Sequence, residues 1–437
     1  MHNQNRLYEF VIITAIIGIA SWFYFHNLDI VPFHPDEATQ IFMSTDVDQF
    51  INNPMSLAWR PVDSPDPRLR YRLIDAPLTR TVIGVARIIA GYPSLPQDWN
   101  WSENWQFNQE SGAIPSNSLL RLARLSVAVF FPFTLLFLYC AVRETFNSLT
   151  AFVAILLFAS HALILLHTRR AMAESLLVFN ICLSLFSLVK FTKKPWLSAF
   201  PIAFAINAKQ SALPLVLVGL LAILTYSAYN KKGIKAIAIE TLYYGAIIFS
   251  IYLLLNPVLW RFPLQAFQES WMIRSELTRQ QVYTLQSVDG QKVLLSIPQK
   301  LAGLIGNLFV TSPAIEDVGN YTNELRGTSQ VYFTTLIHSL FRGFTGGAVF
   351  LILTLMGFFQ SVRNLSNSSP EKTRKVWIFV TASMLQLIAN LTLSSLPFQR
   401  YVITLVPYTC AWCAVGVASL IHTFLILAID RKKRLRA

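Results

Sequence analysis

Long apolar runs divide this chain, and the polar stretches between them are of two kinds: short basic loops and two long segments rich in Pro, Asp, Asn and Trp. A run of roughly 20 apolar residues matches the bilayer core, because a helix rises about 1.5 Å per residue. Such runs predict membrane helices at about Leu7–His26, Leu120–Val142, Leu149–Leu166 and Ser175–Val189. The run from Trp196 to Tyr229 is too long for one crossing and is interrupted at Asn207-Ala208-Lys209-Gln210, which predicts two short helices with Lys209 at the bend. A seventh helix ends near Leu255. An eighth occupies the second half of Val331–Phe359, because Arg342 interrupts the first half. A ninth spans about Val376–Leu393, and a tenth follows the turn Leu396-Pro397-Phe398-Gln399-Arg400-Tyr401. The pattern predicts an all-α polytopic membrane protein of about ten transmembrane helices.

The long polar segments, roughly 27–118 and 256–330, exceed simple connections and should carry structure of their own. Within the first, Thr79–Ile89 places Arg80 and Arg87 seven apart among apolar residues. That spacing suits a helix in the headgroup plane with its arginines reaching water or phosphate. Trp99, Trp101 and Trp105 suit the same interface. The second segment contains Asn256–Pro263 and a helical stretch with Trp271 and Arg274. The whole of 1–437 reads as one transmembrane domain without a separate soluble C-terminal domain.

Composition sharpens this picture. The chain is 54% hydrophobic and 14% charged, against about 25% charged in soluble domains. Its net charge of +13 would suggest nucleic acid in a soluble protein, but here the cations cluster in short loops and report orientation instead. With the N-terminus in the cytoplasm, the loops beginning at Arg143, Lys190, Lys231, Arg363 and Arg431 all fall inside, and both long segments fall outside. Ten helices then leave both termini cytoplasmic, in an inner (plasma) membrane protein. The first run has no small-residue cleavage site after it and is read as a retained helix. Cys140, Cys182, Cys410 and Cys413 lie in apolar runs and read as packing residues, the C-x-x-C spacing of the last two included. The Asn-x-Thr triplets at Asn320 and Asn390 are too common to carry weight. No internal repeat of the inverted-transporter kind is evident.

Candidate chemistry gathers on the outer side, in His34-Pro35-Asp36-Glu37 and the turns carrying Arg169, Arg170, Glu174, Lys209 and Arg400. Charges at membrane depth are costly and usually face a cavity with a function. An acid among fixed cations suits one reaction: the carboxylate takes a proton from an acceptor hydroxyl while the cations hold a lipid phosphate as it leaves. Each residue also has a structural reading. Asp36 could cap a helix, and Arg169, Arg170, Lys209 and Arg400 could snorkel as anchors. Glu174 could pair with one of the arginines, and His34 reads more readily as a packing or hydrogen-bonding residue than as a base. The role of Arg342 stays open.

These residues together resemble the GT-C glycosyltransferases, in particular the protein mannosyltransferase and aminoarabinose transferase-like branch with its uncharacterised bacterial and archaeal members. Asp36-Glu37 matches the Asp-Glu pair after the first helix, and Arg400-Tyr401 matches the late Arg-Tyr. Asp75-Ala76-Pro77-Leu78 stands where His-Pro-Pro-Leu is common. Arg170 and Glu174 stand for Arg-Pro-Glu with altered spacing, and Ala208-Lys209-Gln210 keeps only the lysine of Thr-Lys-Gly. The resemblance implies an inverting transfer from a polyprenyl-phosphate-linked sugar to an acceptor hydroxyl on a glycan, lipid or protein, with no nucleotide-sugar site. It implies Asp36 as the catalytic or acceptor-orienting acid and gives Arg170, Glu174, Lys209, Arg400 and Tyr401 counterparts in the family's motifs; the charge pattern itself adds Glu37 as a supporting catalytic residue and puts Arg80 and Arg169 with those five as substrate- or phosphate-binding residues. No metal-ligand cluster stands in the sequence, no cofactor is expected, and the expected partners are the lipid-linked donor, the acceptor and membrane lipids. Two other readings remain beside the enzyme: a lipid or solute transporter, disfavoured because the charges sit at one face, and a non-catalytic polyprenyl-phosphate-binding partner of a glycan-assembly complex.

Overall fold

The computed structural model describes residues 2–61, 66–288, 293–317, 321–393 and 395–434; Asn320 and residues 435–437 of the basic tail lie outside them. Helices and connecting turns make up the described residues, with no strand among them. Among the described residues, eight helices are long and apolar enough to cross a membrane: Arg6–His26, Asn117–Thr145, Ala173–Lys190, Gln210–Tyr229, Ile234–Leu255, Gly343–Ser366, Pro370–Thr392 and Gln399–Leu425. Ser148–Ala159 and Pro195–Ala208 are shorter apolar helices beside them. The chain is a multi-pass membrane protein.

The boundaries differ from the sequence reading where a local bond outweighs hydropathy. The expected third helix, Leu149–Leu166, divides into Ser148–Ala159 and Ala162–His167. Ser160 Oγ donates to the Leu156 and Leu157 carbonyls, and His161 takes an extended conformation (φ −73°, ψ 122°) that stops the helix. The break at Lys209 lies where the polar interruption put it: Lys209 is extended (φ −161°, ψ 137°), and helix resumes after it. A helix begins at Gly343, directly after Arg342.

Small residues allow the closest helix packing. A Cβ on Gly357 would lie 1.9 Å from the Trp412 carbonyl oxygen, and one on Gly416 would lie 2.3 Å from that of Leu353. The Gly343–Arg363 helix and the last span therefore meet backbone to backbone. Towards the opposite end from the long polar segments, Arg143 pairs with Glu9 of the first span, and Glu144 bridges Lys190 and Lys375. The four cysteines are free thiols.

The first polar segment folds into short helices, including Pro35–Met43, Thr45–Asn52, Pro67–Ile74 and Leu78–Ile89. Leu78–Ile89 is the helix expected around Arg80 and Arg87, but its arginines do not reach for water. Seven apart, they share a face, and that face packs on Thr45–Asn52, which offers carboxylates. Arg80 pairs with Asp46 (3.2 Å), and Arg87 pairs with Asp48 and donates to Ser44 Oγ (2.9 Å); both arginines are buried. Gly84 lies between them, and any Cβ there would strike Val47 at 2.5 Å. The second polar segment contains the 26-residue helix Pro263–Val288, then Ile297–Ile305 and Thr322–Thr334.

Candidate active site

The stretch that positions Asp36 is a helix start built by its own neighbours. His34 is extended (φ −129°, ψ 135°) and caps Pro35–Met43. Its Nδ1 accepts from the Asp36 backbone N–H (3.1 Å), and the Glu37 carboxylate accepts from the His34 N–H (3.0 Å). This reciprocal capping box sets the direction of the Asp36 side chain. The other His34 ring nitrogen, Nε2, faces Asp317 Oδ2 at 3.3 Å.

Glu37 and Asp36 then part company. The Glu37 side chain is fully buried, and both its oxygens are saturated: Arg124 Nε and Nη2 donate at 2.8 Å each, the Ala171 N–H at 2.8 Å, and the His34 N–H completes the set. Arg124 also donates to the Leu28 and Val31 carbonyls. Burial opposes ionisation of Glu37, yet Arg124 and the other donors hold its carboxyl below the usual carboxylate range. These four donors take up its hydrogen-bonding capacity, and Glu37, expected as a second catalytic carboxylate, ties the loop to helix Asn117–Ala128 and to the turn at Ala171.

Asp36 is the accessible acid. Its side chain is 29% exposed, against 7% for Asp317 and 1% for Glu174. Arg400, at the start of the last span, donates from Nη1 to Asp36 and sets Nε 3.0 Å from Asp317 Oδ2. Burial works against ionisation of Asp36, but Arg400 and His34 overcome it and keep the carboxyl below its usual range. Asp317 is likewise driven well below, its burial outweighed by Arg400 and His34. Asp36, Arg400, Asp317 and His34 thus form a closed ring drawn from both long polar segments and the last span.

Lys209 and Glu174 adjoin this ring. Lys209 Nζ donates to Glu174 Oε1 at 2.5 Å and lies 5.5 Å from the centre of the Tyr401 ring, while the Arg400 guanidinium lies 5.9 Å from that same centre. The structure therefore brings Asp36, Glu174, Lys209, Arg400 and Tyr401 together. On another flank, Asp98 accepts from Tyr71 (2.5 Å) and Thr39 (2.8 Å), and burial pushes its carboxyl up despite both bonds.

The remaining expected phosphate ligands are elsewhere or already engaged. Arg80 belongs to the Asp46 network. Arg169 turns to the far side of its loop, where Nη1 meets His338 Nε2 at 2.9 Å and the guanidinium lies over Tyr24. Arg170 is buried and donates to the Pro32 (3.1 Å) and Ile315 (2.7 Å) carbonyls, joining the two long polar segments. Neighbouring arginines on one turn point to different sides, and that divergence is what separates Arg169 from the site. Asp317 and Arg124 escaped the sequence reading. Asp317 sits in a polar segment without a flanking apolar run, and Arg124 looks like an ordinary charge near a helix start.

With this geometry in hand, the chain can be set beside known proteins. Residues 70–268 match the family model for dolichyl-phosphate-mannose-protein mannosyltransferase. No curated protein sequence matches the chain. Its structure is similar to the apo oligosaccharyltransferase of Archaeoglobus fulgidus, with a TM-score of 0.52 and 12% identity over 96% of this chain and 52% of that one. The chain has the GT-C fold. The same fold is matched in ArnT from Cupriavidus metallidurans bound to undecaprenyl phosphate (TM-score 0.51, 14% identity, 93% of this chain and 60% of that one). It is matched again in the Archaeoglobus fulgidus oligosaccharyltransferase AglB in complex with an inhibitory peptide and a dolichol-phosphate (TM-score 0.50, 12% identity, 96% and 52%). The chain spans between half and two thirds of the length of those structures.

Proposed function

We propose that this protein is a membrane glycosyltransferase that moves a sugar from a polyprenyl-phosphate-linked donor to an acceptor hydroxyl at the outer face of the membrane. The observation that carries the reading is the ring of Asp36, Arg400, Asp317 and His34, with Lys209 and Glu174 beside it, built from residues far apart in the chain. A packing role would not require a part-exposed acid paired with an arginine that starts the last span. The family-model match supports the donor class, as do two structural neighbours of the same fold, one with dolichol-phosphate and one with undecaprenyl phosphate.

In this reading the donor phosphate reaches Lys209 and Arg400 from the outer leaflet. Both cations already hold carboxylates, so the phosphate competes with Glu174 for Lys209 and with Asp36 and Asp317 for Arg400. As Arg400 turns to the phosphate, Asp36 loses the charge that depresses its basicity. The acceptor oxygen attacks the sugar C1, the C1–O bond to phosphate breaks, and polyprenyl phosphate leaves with the bond's electron pair. The acceptor proton passes to Asp36, and a single displacement inverts the anomeric centre. His34 and Asp317 orient the pair, and Tyr401 flanks both cations. The clustering of Lys and Arg in the short loops supports a topology with both termini in the cytoplasm and an inner (plasma) membrane location. The test is transfer by the purified chain in nanodiscs, offered a panel of polyprenyl-phosphate sugars and hydroxyl acceptors. Asp36→Asn should abolish turnover and leave the protein monodisperse. Turnover at the wild-type rate in that variant would remove Asp36 from the reaction.

A further inference from the structure

The end of the bundle away from the long polar segments carries chemistry that the proposed transfer does not use. Three stretches lie there: 190–194 after helix Ala173–Lys190, 230–235 between helices Pro214–Tyr229 and Ile234–Leu255, and 370–375 at the start of helix Pro370–Leu393. Each carries three Lys or Arg residues. Two of these cations converge on Tyr226, one turn before the end of Pro214–Tyr229. Lys232 Nζ lies 4.5 Å from the centre of its ring and the Arg374 guanidinium 5.1 Å. A cation that close is drawn to the negative face of the ring. Lys232 is placed locally. Lys231 takes the left-handed conformation (φ 50°), and the chain folds back so that the Lys232 N–H donates to the Ser227 carbonyl (3.0 Å).

The neighbouring cations are matched within the chain. Lys375 takes Glu144 and Glu371, Lys190 shares Glu144, and Lys232 pairs with Glu240 (2.5 Å). Arg374 is not: no carboxylate among the described residues pairs with it, and its buried Nε has no hydrogen-bond partner. An arginine that only anchors the chain extends its head to water. Here the head is part-buried over Tyr226, with Lys232 within about one Debye length, ~10 Å. Charge removed from water without a counter-charge is costly, and an anion at this point offsets it. Helix Ile234–Leu255 begins at Gly233 with no side-chain cap, so its first N–H groups add to the same positive field. An apolar wall adjoins. That helix buries only Tyr244 and leaves Ile239, Leu242 and Tyr243 exposed, with Trp196 6.1 Å from Tyr243. Unmatched positive charge above an open apolar face selects an anion that carries acyl chains.

We propose that Arg374, Lys232 and Tyr226 form a binding site for an anionic phospholipid of the leaflet at this end of the bundle. Arg374 holds the phosphate, Lys232 adds charge beside it, and the acyl chains lie along Ile234–Leu255. The binding needs no transfer activity, so it stands or falls apart from the glycosyltransferase reading. Native mass spectrometry of the full chain in detergent, titrated with phosphatidylglycerol, phosphatidylcholine or inorganic phosphate, reads it directly. Wild type should bind a first phosphatidylglycerol about tenfold or more tightly than phosphatidylcholine. Arg374→Gln should weaken that lipid about tenfold, the effect of losing a hydrogen bond to a charged group, and Lys232→Gln several-fold. Lys372→Gln, at an exposed lysine of the same stretch, should bind as wild type does. Tyr226→Leu, which keeps an apolar side chain, provides the same test, with a several-fold loss, should Arg374→Gln misfold. Equal affinity for the two lipids overturns the proposal. So does an equal loss in Lys372→Gln and Arg374→Gln, which assigns the binding to diffuse surface charge. Displacement of phosphatidylglycerol by inorganic phosphate at matching concentration also overturns it, because the site then takes a free anion and makes no use of the acyl chains.

Discussion

Replacing Glu37 by Gln should unfold the neighbourhood of Asp36 before it affects any chemical step. The Glu37 carboxylate receives four N–H donors at 2.8–3.0 Å, two of them from Arg124, and its side chain is fully buried. Gln keeps the shape but removes the charge, and it sets an amide N–H against the N–H groups that Glu37 accepts from. Breaking one partner of a buried ion pair costs about 3–5 kcal/mol, mostly because the other charge is left without its counterion. Arg124 would keep only the Leu28 and Val31 carbonyls. The expected loss for Glu37→Gln is therefore about 3–5 kcal/mol. Asp36→Asn should cost about 1 kcal/mol or less, because Asp36 is part-exposed and Arg400 keeps Asp317. Equilibrium unfolding in mixed micelles, titrated with SDS, measures both variants. A double-mutant cycle with Arg124→Met should return a coupling of about 2 kcal/mol or more, because the double variant no longer strands a charge. An unfolding curve for Glu37→Gln that overlays wild type, with transfer lost, would refute the reasoning and return Glu37 to the catalytic set.

Arg400→Lys keeps a positive charge but cannot bridge Asp36 and Asp317 with a planar fork, so transfer should fall by about 100-fold with a smaller change in donor KM; steady-state kinetics check it. Lys209→Met should raise the donor KM and leave Glu174 as a buried unpaired acid, and Glu174→Gln in the same chain should restore stability without restoring donor affinity. Arg169→Met, through the His338 and Tyr24 contacts, should lower the melting temperature while leaving both KM values unchanged. The folded-state pKa values of Asp36, Glu37 and Asp317 are depressed. Their stabilisation is therefore present above the usual carboxylate range and is lost as pH falls below it, through those depressed values. Thermal unfolding measured from pH 7 to pH 3 should stay level above about pH 5 and then drop, and Asp317→Asn should flatten the drop.

The pattern of apolar runs placed most of the apolar helices, the break at Lys209 and the start after Arg342, because a helix that meets lipid is specified by its own residues, but it missed the break at Ser160-His161, which a side-chain bond to the backbone makes. Position relative to those helix ends also singled out Asp36, Lys209 and Arg400. Which charge neutralises which is another matter. Arg400 meets Asp36 across 364 residues, and Arg124 meets Glu37 across 87. No local period encodes such a pairing. Two arginines seven apart announce a shared face, but only the carboxylates of Thr45–Asn52 decided that the face turns inward. Adjacent Arg169 and Arg170 look alike in sequence, and packing sent one to His338 and the other to the carbonyls of two loops. Buried charge must be matched wherever the fold delivers a partner, so its role is settled by tertiary contact and not by the residues beside it.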